Sequence, residues 1–105
     1  MENELPLPDG AAEDADAVEV ARIWVTRQDL LVSLNVGLYP PEVSAGETSA
    51  WGDILADTVK HLGKALSQRY DLSPAAVERE IVARCIQSLE QYEKPFVGGF
   101  NSDIG

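Results

Sequence analysis

Basic residues, histidine and cysteine are all scarce in this chain. Its 105 residues hold 8 Lys and Arg against 18 Asp and Glu, with one His and one Cys. A single cysteine, Cys85, excludes an internal disulfide. A formal charge of −10 leaves no broad basic face of the kind that a nucleic-acid backbone or an anionic membrane requires. No run approaches the ~18 apolar residues of a membrane span. Met1-Glu2-Asn3-Glu4 has neither the positive flank nor the apolar stretch of a secretory signal, so the expected location is the cytoplasm. There is no Ser-x-Gly elbow, paired cysteine, glycine-rich phosphate loop or His-Glu-x-x-His helix. The expectation is a protein without catalytic residues, cofactor or metal.

What remains is enough for one small domain. Hydrophobic residues make up 45% of the chain, an ordinary share for a globular protein. The acidity is uneven. Residues 1–16 hold Glu2, Glu4, Asp9, Glu13, Asp14 and Asp16 and no Lys or Arg, so six of the ten net charges lie there and four in the rest. With few large apolar side chains to offset ordering, this stretch reads as a disordered acidic arm. Residues 17–95 then form the α+β domain, and 96–105 a glycine-containing tail.

The pattern from 17 to 39 predicts a β-hairpin. Val18, Val20, Ile23, Trp24 and Val25 favour strand. Leu30, Val32, Leu34, Val36 and Leu38 alternate with other residues at period two. A three-residue loop, Arg27-Gln28-Asp29, would pair Trp24 with Val32 and gather the even-numbered apolar residues on one face, interrupted by Arg22 and Thr26. A two-residue loop would swap the parity of one strand, and it lacks the Asn-Gly or Gly-X chemistry such turns favour. In the three-residue register, Ile23, Val25 and Leu31 are spare apolar residues on the opposite face. Pro40-Pro41 ends the second strand.

Two helices follow. The first, over 47–70, carries Trp51, Leu55, Thr58, Leu62 and Leu66 on one side, and Ser44 with Glu47 could cap it. At about 36 Å it is long enough to lie along a strand of about 30 Å. Gly52, Ala56 and Gly63 form a second, small-residue band whose helix-propensity cost points to a close neighbour, with the second helix as first suspect. Asp71-Leu72-Ser73-Pro74 marks the start of that helix, with Ser73 as N-cap, Pro74 at the first helical position and Leu72 stapled to Val77. It runs to about Glu93, before Pro95. Its apolar arc, from Val77 through Ile81, Val82, Cys85, Ile86 and Leu89, is wider than one contact needs, and Cys85 within it reads as a buried, inert thiol.

Candidate chemistry is thin. Asp53, Asp57 and His61 fall at i, i+4, i+8, a spacing able to hold a divalent metal. They lie opposite the apolar stripe with Lys60 and Lys64 among them, so a solvated charged face is the preferred reading. Arg22, within the apolar even face, is a candidate contact for an anionic ligand, or else a side chain reaching past the sheet margin to water.

The runs Val32-Ser33-Leu34-Asn35-Val36 and Ser49-Ala50-Trp51-Gly52-Asp53-Ile54-Leu55-Ala56-Asp57, with Asn101 near the C-terminus, resemble a family of short alphaproteobacterial proteins of unknown function. The likeness spans most of residues 17–101. It implies a bacterial cytoplasmic protein and assigns no activity or site residue.

The expected architecture is α+β in the order ββαα, an antiparallel hairpin with both helices packed on one face, forming a homodimer. Candidate interface residues are Ile23, Val25, Leu31, Val82 and Ile86, since open strand edges and surplus apolar surface invite a second copy. The expected role is a self-associating interaction or regulatory module that engages itself and a protein partner, with neither nucleic acid nor membrane bound. The alternative is a small-molecule binder with a pocket near Arg22, between hairpin and helices.

Overall fold

The structure, a computed structural model, describes residues 3–38 and 44–91, with side chains of the second stretch from Gly46 onward. The element order is β1 (Ala21–Val25), β2 (Leu30–Leu34), α1 (Ser44–Tyr70) and α2 (Pro74–Gln91). This is the expected α+β chain in ββαα order. It divides into two compact units, one with the hairpin and one with the helices.

In the first unit, β1 and β2 form a two-stranded antiparallel sheet. The register differs by one residue from the three-residue-loop expectation. Val25 pairs with Leu30, Trp24 with Leu31, Ile23 with Val32, Arg22 with Ser33 and Ala21 with Leu34. A one-residue slip moves every side chain of one strand to the other face. Ala21, Ile23 and Val25 therefore share a face with Leu30, Val32 and Leu34, which leaves that face apolar at all six positions. Leu31, expected beside Ile23 and Val25, instead stands across from Trp24. Arg22 leaves the apolar face altogether.

The turn explains the slip. The Thr26 N–H donates to the Asp29 carbonyl at 2.8 Å. The Thr26 hydroxyl accepts the Asp29 N–H at 2.9 Å and donates to the Asp29 carbonyl at 3.0 Å. The hydroxyl thus stands in for a backbone carbonyl and closes the turn over Arg27-Gln28. Neither of those residues has a positive φ, so the primed turns that would demand Asn-Gly are avoided. Both strands are shorter than expected, five residues each. Beyond them the Asn35 N–H still donates to the Val20 carbonyl at 2.9 Å, and Gly37, at φ 85°, turns the chain away.

Residues 3–20, which include the expected arm from its third residue onward, follow a course of turns. The Ala11 N–H donates to the Pro8 carbonyl at 3.1 Å and the Ala17 N–H to the Asp14 carbonyl at 3.1 Å. The Asp14 carboxylate accepts the Asp16 N–H at 2.8 Å, a local turn typical of aspartate.

In the second unit, α1 begins three residues before the expected start and ends where expected. Glu47 lies in the first turn of α1. Its Oε2 accepts the Gly37 N–H at 3.0 Å and the Trp51 indole N–H at 3.2 Å, tying the preceding chain to the first turns of the helix. At the far end Asp71 adopts φ 57°, and the Leu72 N–H donates back to the Ser67 carbonyl at 3.2 Å. That is a Schellman closure with aspartate at the left-handed position where glycine is usual. The start of α2 matches its sequence signal. The Ser73 hydroxyl accepts the Ala76 N–H at 3.3 Å, and the Ser73 carbonyl accepts the Val77 N–H at 3.0 Å. The expected final turn to Glu93, the Pro40-Pro41 stop and the 96–105 tail lie outside the described residues.

The helices meet through the small-residue band. Gly63 is buried, and a Cβ there would lie 2.8 Å from the Glu78 Cγ and 3.3 Å from the Pro74 carbonyl oxygen. Gly52, in the same band, faces open space. Lys60 closes one margin of the contact with an ion pair to Glu78 at 3.1 Å. Val77 is the one buried apolar side chain among the described residues.

Two expectations about helix faces need correction. Leu55 and Leu62, read as the core side of α1, are exposed. Cys85, read as buried and inert, is exposed as well. A two-helix contact covers only a narrow arc of each partner. In α2 that arc is used by Val77, Ile81 and Ser88, which fall within about 40° of one another at 100° per residue. Val82, Ile86 and Leu89 lie outside it and are exposed. Their row continues from Glu78, which marks the Lys60 side of the contact, whereas Leu55 and Leu62 sit about 140–160° round α1 from Lys60. The apolar surplus of the helix pair is thus split between its two sides.

Candidate functional site

The most structured surface feature is the open edge of β1 and the segment beside it. Hydrogen bonds at Val20–Asn35 and Thr26–Asp29 fix the alternation along the antiparallel pair. Arg22 and Trp24 turn their backbone groups toward β2. Ala21, Ile23 and Val25 turn theirs outward, where among the described residues no other strand pairs with them. The same three residues carry half of the apolar face. Ile23 is 64% exposed, Val25 81% and Leu30, opposite Val25, 50%.

Residues 3–8 run beside this edge as a strap. A groove of about 910 Å³ separates the two, lined by Asn3 through Pro8 on one side and by Glu19 and Ala21–Val25 on the other. No β2 residue lines it, so the groove follows the edge of β1 and does not extend across the sheet. Pro6 and Pro8 have no N–H to donate, and a strap carrying them cannot complete a ladder with β1.

Arg22 holds the strap. Its guanidinium pairs with Glu4 of the strap, and it donates to both carboxylate oxygens of Glu19, at 2.9 and 3.3 Å. The bond and charge of Glu19, and then the charge of Glu4, raise the Arg22 pKa above its usual value. All three side chains are partly exposed, so the ion pairs contribute little to stability and serve to position the segment. For the anionic-ligand reading, this geometry means that two carboxylates already occupy the donors an anion would use.

The remaining sequence candidates are dispersed. Leu31 is half-buried with Trp24, while Val82 and Ile86 stand exposed on α2 in the other unit. His61 lies within 3.4 Å of the Asp57 carboxylate and 2.9 Å of the Asp57 carbonyl oxygen. Both side chains are well exposed. Among the described residues, no three His, Cys, Asp or Glu side chains converge as metal ligands. No helix among the described residues is long and apolar enough to cross a membrane. The open strand edges were among the sequence expectations, and the strap was not. The available signal was the Pro-x-Pro spacing at 6 and 8, which marks an extended segment unable to pair.

These features define a small α+β module whose organised surface is an unpaired strand edge beside an apolar sheet face. The chain belongs to the family described as a domain of unknown function, DUF5076, whose model matches residues 4–92. The match takes in the strap, the hairpin and both helices. No curated protein matches the sequence. Among solved structures, one described as a putative pyruvate dehydrogenase from the photosynthetic bacterium Rhodopseudomonas palustrus CGA009 is similar, with a TM-score of 0.67 and 21% identity over 90% of each chain. At that identity the likeness shows a shared fold.

Proposed function

We propose that this protein is a cytoplasmic, non-catalytic module that works by associating with itself, and that the assembly serves as an interaction or regulatory element for a protein partner. One observation carries the reading. The face made by Ala21, Ile23, Val25, Leu30, Val32 and Leu34 is apolar at every position, and three of its residues, Ile23, Val25 and Leu30, are half or more exposed. Covering each of those three is worth about 1–2 kcal/mol, from the ~1.5–3 kcal/mol of a fully buried aliphatic side chain scaled by exposure. A two-stranded sheet is marginal by itself and leaves both edges open. A second copy supplies apolar cover and edge pairing together, and two-fold pairs are the commonest assemblies.

Sedimentation velocity on the full chain, from about 1 to 100 µM, tests the proposal. The expected result is a dimer through most of that range. A monomer persisting at ~100 µM refutes it.

A further inference from the structure

The exposed row on α2 is complementary to itself. We propose that α2 is a contact between two copies of the chain, paired antiparallel with its own copy along Val82, Ile86 and Leu89 about a two-fold axis between Cys85 and Ile86. The proposal rests on the self-association reading and adds a contact in the helical unit, on residues the sheet face does not involve.

The row is continuous and open to a second helix. Val82, Ile86 and Leu89 are between 44% and 67% exposed, and they fall within about 60° of one another at ~100° per residue. The arc that meets α1, at Val77, Ile81 and Ser88, lies about 130° round the helix from them. A second α2 therefore reaches the row without meeting α1. The proposed axis sets Val82 level with Leu89 of the second copy, and Ile86 within one residue of the level of its own copy. The apolar side chains of both rows then share one seam.

Charge selects the antiparallel arrangement. Arg79 and Glu90 are exposed and lie on one flank of the row, about 60° and 80° round from Val82. Among the described residues neither has an ion-pair partner. An antiparallel two-fold brings each flank of the helix against its own copy. It places Arg79 within two residues, about 3 Å, of the level of Glu90 of the second copy, and this pair forms twice. A parallel two-fold would set Arg79 against the flank of Glu78, whose carboxylate already pairs with Lys60. Among the described residues it would leave Glu90 facing no base. Moving the axis to Arg84 sets Leu89 level with Arg79, and moving it just beyond Gln87 carries Arg79 about 9 Å from the level of Glu90.

The native cysteine reports the axis. Cys85 is exposed and lies on the other flank, about 60° from Val82. In the proposed pair the two Cys85 Cβ atoms stand about 5–7 Å apart across the seam, for helix axes ~8–10 Å apart. That is too far for a disulfide and within reach of a short bis-maleimide. Treated with this reagent, the full chain should convert mostly to covalent dimer. E80C in a C85S background places the thiol on the far side of α2, about 20 Å from its copy, and should not link. Because Ile86 is exposed, I86E should keep the helical circular dichroism and dissociate the dimer in sedimentation velocity. R79E or E90R alone should weaken the dimer by up to ~10-fold, and the double exchange should restore most of it. If the wild-type chain is dimeric but Cys85 does not link, or E80C links as readily, or I86E stays dimeric, the α2 contact is overturned and self-association stands. If the wild-type chain is monomeric at ~100 µM, both proposals fall, and a dimer that forms only once residues 96–105 are removed would assign the row to that tail of its own chain.

Discussion

Two glycines on the same side of α1 should respond in opposite ways to the same change. Glycine inside a helix costs about 1 kcal/mol relative to alanine. At Gly52 an added Cβ meets nothing within 4 Å, so Gly52→Ala should recover most of that, about 0.5–1 kcal/mol. At Gly63 the same Cβ would stand 2.8 Å from the Glu78 Cγ and 3.3 Å from the Pro74 carbonyl oxygen. The Glu78 side chain can rotate away only by giving up its bond to Lys60, and the Pro74 carbonyl belongs to the first turn of α2. Forcing a methyl into a close-packed contact costs ~1–3 kcal/mol, so after the propensity gain Gly63→Ala should lose up to about 2 kcal/mol. Urea denaturation followed by circular dichroism measures both at one protein concentration. Thermal melts should separate the variants, since 1 kcal/mol moves the midpoint of a domain this size by ~4–8 °C. If Gly63→Ala is as stable as Gly52→Ala, the close approach of α1 and α2 at Gly63 is wrong.

Other expectations follow from the helix ends and the exposed thiol. Ser73→Ala removes the oxygen that accepts the Ala76 N–H and should cost about 1 kcal/mol in the same denaturation assay. An unchanged midpoint would show the cap to be idle. Asp71→Gly should stabilise by about 0.5–1 kcal/mol, because φ 57° strains any residue with a Cβ; a loss would point to a compensating role for the carboxylate. Cys85, exposed on α2, should react stoichiometrically with a thiol reagent in the native state, and protection until denaturant is added would count against that exposure. Arg22→Ala should release the strap, seen as backbone NMR signals of Glu4, Leu5 and Leu7 moving to random-coil positions and sharpening, and unchanged signals would remove Arg22 from that role.

Much of the architecture could be read along the chain because it depends on near neighbours. The Ser73-Pro74 start, the end of α1 at Tyr70 and the alternation that makes β2 are set within a few residues, where capping and pleat geometry act. The small band on α1 also carried its meaning, since a glycine cost inside a helix calls for a neighbour, and Gly63 has one. Which residues face together was a different matter. The hairpin register turned on one hydroxyl, Thr26, replacing a backbone carbonyl at Asp29. Composition gave no weight to that bond, and one residue of slip reassigned Leu31 and Arg22 to the other face.

The chain by itself determined its element order, the end of α1, the start of α2 and its surplus of apolar residues, because propensity, capping and periodicity are local. Only the tertiary structure decided where that surplus lies. The narrow contact around Gly63 left Cys85, Val82 and Ile86 outside, since a helix pair can bury just one arc of each helix. The Thr26 turn put six apolar residues on one sheet face, and the Glu4–Arg22 ion pair brought an apparently featureless acidic segment to the one edge it flanks. Those outcomes depend on which distant groups meet, and separation in space is the quantity that a linear pattern does not contain.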